Sequence, residues 1–292
     1  MKVFVTGAAS HLAAALLPRL LAAPGVQALT GLDVRASGYA HSRYREIRAD
    51  LCRADWDALL RGQDALVHLA YVVMRGHLPL ARMRAVNVDG AQRLFDAAAH
   101  LPHVVHLSSA SVYGNGENLA ESAPSAPLPG FHYAQHKAQL EAWLEAHHPQ
   151  VVRLRPHVIL GPRAQPFLRR LAGARFYPKT PGGLPRYQFV HEDDVADAVV
   201  AALLRPAAGP YNLAHPTAFT LRELAARSGR RPIGLPLWAV AALHRGAWLL
   251  AGSGGEPGWL AGLAGPLTLD CGRAERELGW QARRSLETCL LE

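Results

Sequence analysis

The chain is predicted to be an α/β protein: a doubly wound parallel sheet with a smaller, partly interleaved C-terminal lobe. Three observations predict it. In the first two-thirds, short continuous apolar runs alternate with helix-like stretches, the pattern of strands covered on both faces by crossover helices. Beyond about Gly161 the texture changes to shorter elements punctuated by Pro and Gly. Half of the 292 residues are hydrophobic, enough for a sizeable core in one large domain or two unequal lobes. The expected division is 1–160 for the sheet domain, with returning segments near 187–215, and 161–292 for the lobe.

Lys2–Thr6 opens the sheet as a short apolar run. His11–Ala23 has helical composition, and Pro18 is expected to kink it or shift its start. Further strands are expected at Val26–Leu32, Tyr44–Arg48, Ala65–Leu69, His103–Leu107 and Val151–Leu154, and helices near Asp55–Leu60, Pro79–His100 and His132–His147. Gly114–Gly130, rich in Pro, Ser and Gly, reads as a loop that could act as a lid. Shorter elements follow at Gln188–Val190, Glu192–Leu204, Tyr211–Leu213 and Leu221–Arg227. Then comes an apolar helix, Trp238–Leu250, whose large side chains suit a core, a dimer face or the apolar wall of a site.

Composition narrows the function classes. The net charge of +8 comes from dispersed Arg with no nucleic-acid-binding module, so no nucleic-acid partner is expected. Cys52, Cys271 and Cys289 lie far apart without ligand spacing, so neither a disulfide framework nor a metal site is expected. Met1 to Gly7 runs straight into a strand with no signal-peptide anatomy, which with the low Cys content predicts the cytoplasm. Leu235 to Ala251 is interrupted by Pro236, His244 and Arg245 and is too short to span a bilayer, so no membrane partner is expected.

The chemistry concentrates at two places. Tyr133 and Lys137 stand four apart in a predicted helix, hence on one face. Only three of the 31 basic residues are Lys, so a Lys at this position is conspicuous. An ammonium beside a phenol favours the phenolate, and Lys137 is expected to lower the Tyr133 pKa and make it a proton donor and acceptor. The second place is the turn after the first strand, Thr6-Gly7-Ala8-Ala9-Ser10-His11-Leu12-Ala13. Such a turn lets backbone amides and a helix N-terminus hold a pyrophosphate. Gly7 is present, but Ser10 and Ala13 stand where two further glycines would be expected. Asp33 ends the second strand, where a carboxylate can accept both hydroxyls of an adenosine ribose. It favours NAD over NADP, although Arg35 lies close by. Asp50 and Leu51 end the third strand region, where adenine contact is expected.

Together these segments resemble the extended short-chain dehydrogenase/reductase family, of the NAD-dependent epimerase/dehydratase type. The resemblance runs from Val5-Thr6-Gly7 through Leu107-Ser108-Ser109-Ala110-Ser111-Val112-Tyr113-Gly114 and Tyr133-x-x-x-Lys137 to Glu277-Leu278-Gly279-Trp280. It implies a Rossmann-type sheet and a Ser109, Tyr133 and Lys137 triad. Ser109 would hold the reacting oxygen, Tyr133 would exchange its proton, and Lys137 would bind the nicotinamide ribose. It places Ala9, Ser10, His11 and Leu12 at the cofactor beside Gly7. Leu69, Ala70, Tyr71 and Asn87 would lie on the cofactor's far side, with Ser108, Pro156 and Val158 completing that site. Ser111, His157, Arg163, Arg186 and His191 are the implied substrate contacts. The family also implies a homodimer pairing the helices near Pro79–His100 and His132–His147.

The 4,6-dehydratases of the family carry Asp-Glu after the active-site Ser or Thr. Ala110 and Ser111 occupy those positions here, so dehydration is disfavoured. Simple alcohol–ketone interconversion or 4-epimerisation remains. His157 replaces the Asn common in nucleotide-sugar enzymes, and Glu256 to Gly265 lacks the Arg expected to grip a diphosphate. Both points favour a hydrophobic, hydroxysteroid-like substrate, with a nucleotide-sugar 4-epimerase as the alternative. Arg163, Arg169, Arg170, Arg175, Lys179 and Arg186, with no acidic residue among them, pull toward an anionic substrate. A non-catalytic NAD-binding or regulatory protein on the same fold is the rival of another class, suggested by Ser10 and Ala13.

Overall fold

The computed structural model describes residues 1–74, 76–163, 176–180, 182–205, 207–227, 231–252 and 255–291. Arg169, Arg170 and Arg175 of the basic stretch lie outside the described residues. Along the chain the first strands are β1 (Lys2–Thr6), β2 (Ala28–Asp33), β3 (Tyr44–Arg48), β4 (Ala65–His68), β5 (His103–Leu107), β6 (Gly116–Leu119) and β7 (Val152–Pro156). They are followed by β8 (Val158–Leu160), β9 (Phe176–Lys179), β10 (Arg186–Tyr187), β11 (Phe189–His191) and β12 (Gly209–Leu213). The last are β13 (Phe219–Thr220), β14 (Ile233–Pro236) and β15 (Leu267–Leu269).

Seven strands make the central sheet in the order β12-β7-β5-β4-β1-β2-β3, with every pairing parallel. This is the doubly wound arrangement, and the order reverses between β1 and β4. β1 and β4 are almost wholly buried because helices cover both faces. On one face, α1 (His11–Ala22) packs Leu16 and Leu20 with Val195 and Val199 of a later helix, Glu192–Leu204. On the other, α2 (Trp56–Leu60), α4 (Ala91–Ala97) and α5 (His132–His147) contribute Trp56, Leu94, Phe95 and Leu140 around Phe4, with α3 (Leu80–Arg84) leading into α4. β12 carries residues 209–213 back into the main sheet beside β7.

Three expectations need correction. Pro18 does not shift the start of α1: the helix begins at His11 and runs through the proline. Pro18 and Ala14 both face solvent, so the carbonyl that loses its amide partner can be met by water. The stretch 80–100 is helical throughout but changes type, passing from α3 through a π turn at Ala85–Gly90 to α4 and a 3₁₀ turn at Ala98–His100. Gly114–Gly130 is not wholly loop, because β6 pairs in parallel with β15, about 150 residues away.

The remaining elements form smaller sheets, β13-β10-β15-β6, β11-β8 and β14-β9. Helices α6 (Glu192–Leu204), α7 (Leu221–Ala226), α8 (Leu237–Ala251), α9 (Gly258–Ala261) and α10 (Leu286–Leu291) complete the description. The C-terminal segment docks on α6 through Trp280 Nε1, which donates to the Asp194 carbonyl at 2.7 Å, and through the Arg284–Asp194 ion pair.

Candidate active site

The site forms at the carboxyl ends of β1, β4 and β5, beside the reversal of strand order. The turn after β1 needs its glycine twice over. Gly7 has φ +74°, and a Cβ there would fall 2.5 Å from the Ala70 nitrogen. The β1 turn and the loop after β4 can touch only because that side chain is absent. Asp33 ties the β2 end to this turn: Oδ2 accepts from Ala9 N and Oδ1 from Arg35 N, each at 3.0 Å. The Arg35 guanidinium lies 3.9 Å from the carboxylate and also donates to the Ala9 carbonyl.

The other sequence-predicted cofactor residues divide into two groups. Ser10 caps α1, its Oγ accepting from Ala13 N at 3.2 Å, so its hydroxyl is used within the helix. His11 is exposed and Leu12 is buried in the core beside α1's other apolar residues. Leu51 belongs to the Phe4 core, and both Asp50 oxygens are engaged, by Cys52 N and by Arg82 at 2.6 Å. Leu69 and Ala70 line the close approach to Gly7. Pro156 ends β7, and Val158 is exposed at the start of β8.

Asn87 sits in the π turn and is completely buried. Its carbonyl accepts from Val72 N at 2.8 Å and its amide donates to Val72 O at 3.0 Å. This fixes the chain after β4 and with it Tyr71. The Tyr71 ring lies under the Lys137 ammonium, 3.5 Å from Nζ to the centroid, and its hydroxyl donates to the Tyr133 carbonyl at 3.4 Å.

Tyr133 and Lys137 occupy adjacent turns of α5, and Ser109 meets them from the end of β5. The Ser109 hydroxyl accepts from Ser111 Oγ at 2.9 Å and lies close enough to the Tyr133 phenol to lower its pKa. Lys137 is buried, and Nζ donates to the Leu107 carbonyl at 2.5 Å. Burial pushes the Lys137 ammonium well below its ordinary pKa, with Glu141 opposing. Burial likewise raises the Tyr133 phenol, and the Ser109 hydrogen bond offsets only part of the rise. This corrects the expectation of a phenol lowered by Lys137. Desolvation outweighs the neighbour here, and the amine is turned to Leu107 and the Tyr71 ring.

Ser108 donates its backbone N–H to Leu154 O, while its buried hydroxyl has no partner among the described residues. A buried hydroxyl left unpaired calls for a ligand or water. Together with the Cβ-excluding turn at Gly7, it fits a site shaped to receive a dinucleotide.

The predicted substrate residues are mostly engaged elsewhere. His157 is buried, with Nε2 at 2.9 Å from Leu267 O and Nδ1 accepting from Val158 N. Burial lowers its pKa to about 4, so the ring is neutral and structural. His191 is buried and caps α6 through Nδ1, which accepts from Asp193 N. Arg163 pairs with Glu192 at 3.0 Å, and Arg186 donates to Ala218 O. Only Ser111 is joined to the Tyr133 cluster, through Ser109.

Two arrangements at the site are not foreseen from the sequence motifs, although Tyr113 stands in one of them. One is a buried network on α5. Arg155 grips Glu141 with Nε 3.0 Å from both carboxylate oxygens, and its Nη1 donates to Tyr113 OH at 2.6 Å, which donates in turn to Asn212. The spacing Lys137 to Glu141 was the available signal, an i,i+4 pair pointing one turn further along the same face. The other is a strap formed by the segment around α9. The buried Glu256 carboxylate accepts from His132 N at 2.8 Å and binds His132 Nδ1 at 2.7 Å. Trp259 lies 4.8 Å from Phe131 and 5.4 Å from Tyr133 between ring centroids. A Cβ on Gly258 would meet Gly130 O at 2.2 Å, so the strap lies directly on backbone.

Comparison with known proteins agrees with this geometry. Residues 3–214 match the NAD dependent epimerase/dehydratase family. A dTDP-glucose 4,6-dehydratase of Streptomyces griseus is 30% identical over 250 residues, 76% of each chain. A UDP-glucose 4-epimerase of Mycolicibacterium smegmatis is 31% identical over 230 residues, 69% of this chain and 73% of its own. Among solved structures, MoeE5 in complex with UDP-glucuronic acid and NAD superposes with a TM-score of 0.77 at 25% identity, covering 100% of this chain and 97% of that one.

Proposed function

The chain belongs to the NAD-dependent epimerase/dehydratase family, and from that premise we propose that Ser109, Tyr133 and Lys137 interconvert a secondary alcohol and a ketone. NAD is the cofactor, and when bound it supplies the acceptor or donor of hydride. Gly7, Ala9, Asp33, Ala70, Tyr71, Asn87, Ser108 and Lys137 are the residues that would hold it. Ser109 holds the substrate oxygen while the Tyr133 phenol gives or takes its proton. The observation that carries this reading is the convergence of Ser109, joined to Ser111, on the Tyr133 phenol that it acts on, with Lys137 buried one turn away. Burial raises the phenol, which favours its protonated form, the donor for ketone reduction; in alcohol oxidation the same oxygen takes the proton.

A UDP-glucose 4-epimerase among the relatives, and MoeE5 held with UDP-glucuronic acid and NAD, support a nucleotide-sugar 4-epimerase, in which oxidation and re-reduction occur at one carbon. The aromatic wall of Phe131, Trp259 and Tyr71 around Tyr133 supports the other reading, an apolar hydroxy or keto substrate. Dehydration has weaker support. A dehydratase stands among the relatives, but Ala110 and Ser111 offer no carboxylate to expel water. A homodimer through α3, α4 and α5 is part of the proposal. Arg84 already joins two of these helices by donating to Gln139 at 2.6 Å.

Mass spectrometry of the purified protein, native and then denatured, tests the cofactor first. Turnover is then assayed with UDP-glucose and with a series of apolar secondary alcohols. Tyr133→Phe is expected to lower turnover by roughly 10²–10⁴-fold while NAD binding is unchanged. Turnover retained in that variant would exclude the mechanism. NAD bound with no turnover of either substrate class would move the reading to the non-catalytic rival.

A further inference from the structure

Helix α8 is apolar almost throughout, yet none of its fifteen residues is buried. Trp238 is 75% exposed, Leu243 70%, Leu249 57% and Leu250 89%. Such side chains are normal singly on a surface, but clustered ones mark a contact. Of the eleven exposed large apolar side chains among the described residues, six lie on β9, β14 and α8: Phe176, Ile233, Trp238, Leu243, Leu249 and Leu250. These elements form one unit: β14 pairs with β9, and α8 packs on both.

The charge around this patch has one sign. From Leu224 to Gly255 the sequence holds four Arg and no Asp or Glu. From Arg163 to Arg186 it holds six basic residues and, again, no acid. Within the described residues this places Lys179 on β9, Arg231 just before β14 and Arg245 on α8. Arg245 is exposed and lies on the same helix stripe as Trp238, Ala242 and Leu249, at i+7 from the tryptophan. The carboxylates bracketing the patch in sequence are already used. Glu223 closes the Thr220 capping box, and Glu256 binds His132.

We propose that α8 and the β9–β14 pair form a docking surface for an anionic lipid bilayer, with the helix lying in the interface rather than crossing it. No described helix is long and apolar enough to cross. A helix that is apolar, tryptophan-bearing and flanked only by cations suits the headgroup boundary. There its apolar side chains enter the acyl edge and Arg and Lys meet lipid phosphates. A second copy of the chain would set Arg against Arg unless it offered acidic residues, which the patch itself lacks. The surface does not depend on the proposed reaction. It does sit next to it in sequence, since α8 leads within a few residues to the Glu256–Trp259 strap on Tyr133.

Flotation with vesicles tests this without any assay of turnover. Wild-type protein is mixed with phosphatidylcholine vesicles, and with vesicles in which about one-third of the lipid is phosphatidylglycerol, at low and at high salt. The expected result is flotation with the anionic vesicles only, weakened by salt. The triple variant Trp238→Ser, Leu249→Ser, Leu250→Ser should lose it by tenfold or more, and Arg245→Glu should lose several-fold. Circular dichroism melting confirms that the variants are folded. Absence of flotation, equal flotation with pure phosphatidylcholine, or full flotation of the folded triple variant would each overturn the proposal. So would a wild-type dimer that the triple variant converts to monomer without any effect of lipid, since α8 would then be covered by a second copy.

Discussion

Strand β1 and helix α8 are built from similarly apolar sequence and end in opposite surroundings. Val3, Phe4 and Val5 are completely buried, whereas Leu250 is 89% exposed. Apolarity therefore does not by itself decide burial. β1 has a strand on each side and a helix layer on each face, all supplied by the repeated strand–helix–strand connection. Helix α8 rests on β9 and β14, with His77 beside Trp248, and no helix layer among the described residues closes over its outer face. The sheet region is closed by its own parts, and the α8 region is not.

The comparison can be broken most forcibly inside the closed region. Arg155→Met leaves Glu141 buried with its main cation gone and should cost about 3–5 kcal/mol in urea unfolding. Adding Glu141→Gln should recover part of that loss. If the single variant is near neutral, the network is not what holds α5 to β7.

Acid should come next. His157 and His68 are buried and neutral, with pKa values lowered by burial to about 4 and about 3. Lys137 adds to the lowering at His68. The unfolded imidazoles titrate near 6.5, so the unfolded chain binds more protons below that value. Stability should fall as pH drops from about 6.5 toward 4, by on the order of 3 kcal/mol for each ring once fully expressed. His157→Gln should flatten that acid limb in melts recorded at successive pH values.

A smaller loss, about 2 kcal/mol, is expected for Gly7→Ala, which adds a methyl in left-handed backbone against Ala70. Calorimetric titration should show NAD binding weakened more than folding. The smallest effect sharpens the contrast: Leu250→Ser should change stability by less than about 0.5 kcal/mol, because nothing in the fold rests on it.

The parallel sheet was legible because each central strand is a continuous apolar run set between helices. Tyr44–Arg48, His103–Leu107, His132–His147 and Glu192–Leu204 were expected at the bounds observed. Strand β6 was not legible. Gly-Glu-Asn-Leu has no strand pattern, and its partner β15 is too remote in sequence to suggest one. The π turn was hidden for a different reason, since its apolar spacing blends into the helices on either side. At the site, the spacing of Tyr133 and Lys137 foretold their shared helix face. It could not foretell that burial would outweigh the ammonium at the phenol, because desolvation depends on what folds over a residue. The same limit applies to Glu256, a lone acid in an apolar segment whose partner His132 lies 124 residues away.

The π turn at Ala85–Gly90 carries one more consequence. A π turn is one extra residue held inside an α-helix, and removing a residue there would let the helix relax to uniform geometry. The turns on either side would keep their facing, because the π turn absorbs the extra residue locally, but the side chains within it would be re-spaced and the two-point grip of Asn87 on Val72 would be lost. The segment thus works as a reading-frame marker written in three dimensions. In an alignment of related chains, a one-residue gap between 85 and 90 would identify those whose β4 loop, and the Tyr71 beneath Lys137, must be held some other way.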